Sequence, residues 1–282
     1  MMKRNIILTS IAISLISNLA IAKVQPKASA SAGLSAQQII DKNVAARGGL
    51  KAWRAVQSMS MSGKMDAGRQ RAQVPEIVTN SNLRKVKVDS TKSLPEAKVI
   101  QLPFTMEMKR PLKMRVELQF QGDTAVQVFD GTQGWKLRPF LGRHEVEPYT
   151  AEEMKLASQQ QQLDGFLIDY AAKGTKVVAE GMEQVEGKNA YKLKLTLKDG
   201  QVRHVWLDTQ TFLDAKVDGT RRMDGKPRTV MTYMRDYKSV NGLMLPFTME
   251  TTVDGIKDSE RILIDKVVMN PQILDKRFTK PE

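Results

Sequence analysis

Residues Tyr191 to Lys198 alternate without a break, with Tyr191, Leu193, Leu195 and Leu197 on one beat and Lys192, Lys194, Thr196 and Lys198 on the other. A side-chain period of two predicts a strand with one apolar face. Asp199-Gly200 follows, and then a second apolar run from Val202 to Leu207. Two such runs joined by Asp-Gly predict a hairpin whose turn takes positive φ at both central positions. Similar punctuation recurs at Asp130-Gly131, Glu186-Gly187, Asp224-Gly225, Asn241-Gly242 and Asp254-Gly255. The chain reads as one long antiparallel meander.

Earlier segments fit the same pattern. Ser35 is placed to cap a helix carrying Ile39, Ile40 and Val44, which Gly48-Gly49 ends, and Leu50 to Val56 adds a short second turn with Trp53. Met59, Met61 and Met65 begin the first strand, whereas Arg69 to Glu96 is basic and weakly alternating, as in an edge strand or irregular segment. Leu102, Phe104, Met106 and Met108 then share a beat, and Pro103 within that run points to a sheet edge. Val116, Leu118 and Phe120, Val126 with Val128, and Trp135 with Leu137 continue the series. Thr150 and Glu153 form a capping box opening a helical insert that runs to Lys173, interrupted near Gly165.

An antiparallel sheet with one greasy face must close, pair or be covered. Two helical segments are too few to cover about eleven strands. The expected fold is therefore mainly β: a curved antiparallel sheet forming a half-open barrel, with a helical lid, over a single domain at residues 34–282 and with the insert near 150–173. Such a shape leaves an apolar cavity. The chain has 16 methionines, many on apolar beats, and these suit a pliable lining. The cavity candidates are Phe104, Met106, Met108, Met114, Val116, Leu118, Trp135, Leu193 and Leu195. Alternation sorts residues into two faces without saying which face is inside.

The first residues change the setting. Lys3 and Arg4 precede an apolar stretch from Ile6 to Ala22 that ends in Ala20-Ile21-Ala22, the layout of a cleaved secretory signal at residues 1–22. Residues 23–33 are rich in Ala, Ser and Lys and read as a disordered leader. The expected location is the periplasm, without lipidation. There are no cysteines, so stability rests on an ordinary core. With 44 Lys and Arg against 31 Asp and Glu, the net charge is +13. On an exported protein that favours anionic head groups or acidic polysaccharide over nucleic acid, or else a solvated surface.

Signs of catalysis are sparse. His144 and His204 are the only histidines and neither has metal-ligand spacing. No nucleophile elbow, zinc-protease motif or phosphate loop occurs. Glu152-Glu153 falls in a helix first turn, where the macrodipole favours acids. No enzyme activity, cofactor or metal is expected.

Several motifs together resemble the periplasmic lipoprotein carrier LolA and the larger lipoprotein-sorting proteins related to it. Met108-Lys109-Arg110-Pro111 leads into a strand, and Phe129-Asp130-Gly131-Thr132-Gln133-Gly134-Trp135 follows. Gly48 to Trp53 reads Gly-Gly-x-x-Ala-Trp, and Leu207 to Thr211 reads Leu-Asp-x-x-Thr. Asp236 to Pro246 and Asn270 to Phe278 complete the series. The resemblance implies a half-open barrel taking acyl chains of lipoproteins or lipids, with Arg110 tying the lid to the barrel and Met114 handling cargo. It also implies an inner-membrane extruder or permease as donor and an outer-membrane acceptor. The receptor LolB carries a lipobox cysteine that this sequence lacks, so a soluble shuttle is the nearer analogue. A sensor of envelope stress using the same barrel is the alternative, and a hydrolase with acids gathered around His144 or His204 is a further one.

Overall fold

In the computed structural model the structure describes residues 33–70, 98–139, 142–160, 163–223 and 225–282. The expected signal and all of the leader but Gly33 lie outside these residues, as does all of the Arg69 to Glu96 segment beyond Gln70. Leu34–Glu282 forms one compact unit. It opens with α1 (Ala36–Ala46) and α2 (Leu50–Ala55). Six strands follow: β1 (Ser58–Gln70), β2 (Lys98–Lys109), β3 (Lys113–Phe120), β4 (Asp123–Phe129), β5 (Gly134–Arg138) and β6 (Arg143–Pro148). After α3 (Ala151–Gln160) come β7 (Lys176–Val185), β8 (Lys188–Thr196), β9 (Val202–Asp208), β10 (Asp214–Met223), β11 (Lys226–Val240), β12 (Leu243–Val253) and β13 (Glu260–Met269).

Local chemistry sets these boundaries. Ser35 Oγ accepts from the Gln38 backbone N–H at 3.2 Å while Gln38 Oε1 accepts from the Ser35 N–H at 2.9 Å, a reciprocal cap on α1. Asp224 of the predicted Asp224-Gly225 turn lies outside the described residues; the following four predicted turns form by two different means. Glu186-Gly187 and Asn241-Gly242 place both residues at positive φ. At Asp130-Gly131 and Asp199-Gly200 only the glycine does so. There the aspartate side chain closes the turn instead, accepting from Thr132 N–H at 2.7 Å and from Gln201 N–H at 3.1 Å.

All the strands belong to one antiparallel sheet of 13, ordered β6-β5-β4-β3-β2-β1-β13-β12-β11-β10-β9-β8-β7. The meander is thus folded back so that its last strand pairs with its first, with β6 and β7 at the two ends of the order among the described residues. The curvature follows from α3. Glu153 binds Lys136 of β5 at 2.6 Å, while its neighbour Glu152 lies 3.9 Å from Arg222 of β10. In a flat sheet those strands, eight steps apart in the order, would lie about 38 Å from each other at ~4.8 Å per step. Two adjacent helix residues can touch both only if the sheet curls round on itself. The result is a half-open barrel with α3 across its mouth.

Three expectations need adjustment. The sheet has 13 strands where about eleven were expected; β6, with Val146 as its one aliphatic residue, offers no alternation to read. Pro103 is not at an edge, since β2 lies between β1 and β3. Its missing N–H is tolerated because the β2–β3 ladder ends at Phe104 opposite Leu118. The helix expected to reach Lys173 stops at Gln160, and Gly165 and Asp169 take positive φ in the turns that follow.

The face covered by α1, α2 and the insert, here the inner face, carries two apolar clusters. One joins β1, β2, β12 and β13 to Trp53, Val56, Leu163 and Ile168. The other joins β8, β9 and β10 to Ile39, Ile40 and Leu167. Gly63 sits where the β1–β13 register slips. A Cβ there would overlap the Leu263 carbonyl oxygen, which belongs to the backbone and has no rotamer to change. Gly63→Ala is therefore expected to cost about 2 kcal/mol, read as a lowered urea midpoint with unchanged slope.

Candidate functional site

The first-half candidates form three rungs on the inner face. Met59, Met108, Met114 and Phe129 pair across four strands, as do Met61, Met106 and Val116 across three, and Gly63, Phe104, Leu118 and Ala125 across four. Directly opposed residues share a face, so Phe104, Met106, Met108, Met114, Val116 and Leu118 belong to one surface. Phe104 and Met114 are buried, whereas Met106, Met108, Val116 and Leu118 remain half-buried. Met61 and Met65 from β1 and Met249 and Ile262 from β12 and β13 extend this half-buried, methionine-rich floor.

The remaining candidates do not join it. Leu193 and Leu195 lie on the inner face but are fully buried beneath α1 in the second cluster. Trp135 pairs with Val128 and faces the other way. It packs with Val128, Ile273 and Phe278, because the segment after β13 folds over the outer face of β3 to β5. Arg277 in that segment reaches Glu107 at 2.8 Å and Glu117 at 2.9 Å, and Lys109 donates to the Ile273 carbonyl at 2.9 Å.

Arg110 stands at the corner where α2, β2 and the insert meet. Its Nε donates to the Val56 carbonyl at 2.8 Å, and its Nη2 donates to the Trp53 carbonyl at 3.2 Å and to Asp164 Oδ2 at 2.8 Å. Asp164 is 2% exposed and also accepts from Lys173 Nζ at 2.7 Å. Burial raises the Asp164 carboxyl, but the hydrogen bonds and charges of Lys173 and Arg110 overcome that and hold it below the usual carboxylate range. Burial lowers the Lys173 ammonium, which pairing with Asp164 opposes. Arg47 adds a hydrogen bond to the Asp164 carbonyl at 3.1 Å and lies over the Trp53 ring at 4.5 Å. Arg54 binds Asp169 further along the insert at 3.0 Å.

The insert thus has two parts. Leu163, Leu167 and Ile168 plug the core. Within α3, by contrast, Ala157 is the one buried side chain among those described, and polar contacts hold the helix at each end. These are the Thr150–Glu153 cap with Lys136 on one side and the Asp164 cluster on the other. Tyr149, packed over Gly134 just before α3, is pushed up to about 12 by burial. Beyond α3 a cavity of about 560 Å³ opens against β9, β10 and the start of β11, lined by none of the nine candidates.

Sequence reasoning missed Asp164 and Arg203. Asp164 has no motif, but Arg203 was visible as a cation on the beat of Val205 and Leu207. His204 points to the outer face, where its Nδ1 lies 2.6 Å from Asp218, and His144 is exposed on β6. Among the described residues no group of three or more His, Asp or Glu is placed to hold a metal ion. Among them, too, no helix is long and apolar enough to cross a membrane.

No family profile matches the chain, and no curated protein matches it in sequence. Solved structures do. A DUF1329 family protein from Desulfovibrio piger is 14% identical with a TM-score of 0.54, over 86% of this chain and 96% of that one. A LolA superfamily protein from Nitrosomonas europaea is 14% identical with a TM-score of 0.53, over 88% and 99%. A domain from Vibrio parahaemolyticus described as an outer membrane lipoprotein-sorting protein is 14% identical with a TM-score of 0.51, over 85% and 94%. Together these likenesses establish a LolA-like fold.

Proposed function

We propose that this protein is an exported, periplasmic carrier that takes acyl chains of lipoproteins or lipids onto its inner face for transfer toward the outer membrane. Its partners on this reading are an inner-membrane extruder or permease and an outer-membrane acceptor, and it performs no catalysis. The observation that carries the reading is the half-buried, methionine-rich floor on the inner face of a half-open barrel. A closed core would bury those methionines fully. An acyl chain leaving a bilayer forfeits about 0.8 kcal/mol per methylene, so a carrier must supply comparable apolar contact and still let go. Methionine offers polarizable, adaptable contact without a fixed shape. Among its described side chains α3 buries Ala157 alone, so it can shift at the barrel mouth while Leu163, Leu167 and Ile168 keep the core plugged.

The test is uptake of a fluorescent fatty acid, together with native mass spectrometry of the protein purified from its envelope fraction. A stoichiometric acylated ligand is expected. Met106→Glu, which puts a carboxylate on the middle rung, should weaken uptake at least tenfold, about 1.4 kcal/mol, while the far-side Trp135→Phe leaves it unchanged. A ligand-free mass combined with no uptake would overturn the reading.

A further inference from the structure

Arg203 is in an unusual position for a cation. It lies on the inner face of β9 and is 7% exposed. Its Nε is fully buried with no hydrogen-bond partner. Among the described residues no ion pair engages the guanidinium, and the charges of Asp218 and Asp199 oppose the lowering that burial imposes on it. The Phe166 ring lies beneath it, 5.2 Å from Cζ to centroid. Leaving a buried charge without hydrogen bonds is costly. The sheet nonetheless makes room for it. Gly219 on β10 presents bare backbone, and a Cβ there would come within 2.8 Å of Arg203 Nη1. Gly219 is not at positive φ, so its backbone does not require glycine.

The arginine lines the cavity of about 560 Å³, within the size range of small-molecule sites. Arg222, Lys155, Glu152, Gln201 and Thr220 share that lining. Arg222 and Thr220 enter the lining from the opposite beat of β10, with Arg222 held by Glu152 and the Gly225 carbonyl, so Arg203 and Lys155 are the cations left for a ligand, and the first turn of α3 adds the positive end of a helix. A guanidinium fork matches the paired oxygens of a phosphate.

We infer that Arg203 anchors a phosphate-binding site at the α3 end of the inner face, which takes the phosphate head group of an amphiphile. This rests on the reading that the inner face accepts acyl chains. The site supplies the acceptor Arg203 lacks, and it would make the carrier selective for acidic head groups over neutral ones.

Isothermal titration with lauroyl lysophosphatidic acid and with monolauroylglycerol, below their micellar concentrations, separates the two parts, since these ligands share a chain and differ in the phosphate. The phosphorylated ligand is expected to bind at least tenfold more tightly. Arg203→Gln should reduce it to the level of monolauroylglycerol, Arg203→Lys should restore part of the difference, and Gly219→Ala, which displaces the guanidinium, should reduce it too. Melting temperatures of the Gln variant should be unchanged or raised, because a buried unpaired charge is removed. Equal binding of the two ligands overturns the phosphate site and leaves the carrier reading standing. If neither amphiphile binds, the carrier reading falls, and inorganic phosphate decides the rest. Arg203-dependent binding of phosphate alone then supports the site with free phosphate as its source, and no binding overturns it.

Discussion

Asp164→Ala is expected to destabilise the protein by about 3–5 kcal/mol and to release the insert from the corner of the barrel. The size follows from what is left behind. Asp164 is 2% exposed and neutralises both Arg110 and Lys173. Its removal leaves two cations facing one another in a partly buried site. Arg110→Met combined with Asp164→Ala should recover part of the loss, because the double variant no longer strands the guanidinium. Denaturant unfolding gives the energies. Limited proteolysis between Thr150 and Gly174 reports the insert directly and should quicken in the single variant. The pH dependence carries a sign. A carboxyl held below its usual range contributes its full stability above the ordinary carboxylate pKa, about 4, and loses it as pH falls through the lower folded value. Acid should therefore loosen the wild-type insert, and Asp164→Asn should reduce that pH dependence to the part carried by Glu153 and Asp169. Proteolysis of the wild type that is flat from neutral to acid pH would exclude Asp164 as the latch.

The residues of this latch show where sequence reading works and where it stops. Strand alternation identified the surface holding Phe104, Met106, Met108, Met114, Val116 and Leu118, since period two assigns faces however the sheet later curls. It placed Trp135 with them wrongly because β4 is buried on both sides. Val128 lies under Ile273 and Phe278 on the outer face, and Ala125 and Phe129 are buried on the inner one. Only knowing where the C-terminal segment folds reveals that second layer. Leu193 and Leu195 share one beat and lie on the inner face, but alternation says nothing of the helix that fills the space above them. Arg110 carried a motif, and its partner did not. Asp164 is one acid among polar neighbours in the insert, and its importance arises only when residues 54 and 9 positions away meet it.

Trp53→Ala should be comparably severe, about 3–5 kcal/mol, and should disturb the inner face more widely than Asp164→Ala. Trp53 is fully buried, and three different elements use it. Its indole N–H donates to the Arg47 carbonyl at 3.0 Å, fixing the turn between α1 and α2. Its ring carries the Arg47 guanidinium, whose Nη1 holds the Asp164 carbonyl. Its own carbonyl accepts from Arg110. Alanine keeps that last bond and loses the other two, leaving a cavity beside Leu243, Leu245 and Ile168. Trp53→Phe should recover most of the packing while still losing the N–H bond, placing it about 1 kcal/mol below wild type. Because Arg47 reaches the insert through the Trp53 ring, both variants should expose the insert to protease in the order Ala, then Phe, then wild type. If Trp53→Ala lowered global stability without quickening cleavage of the insert, the tryptophan would serve the core alone and Arg110 would hold the corner unaided.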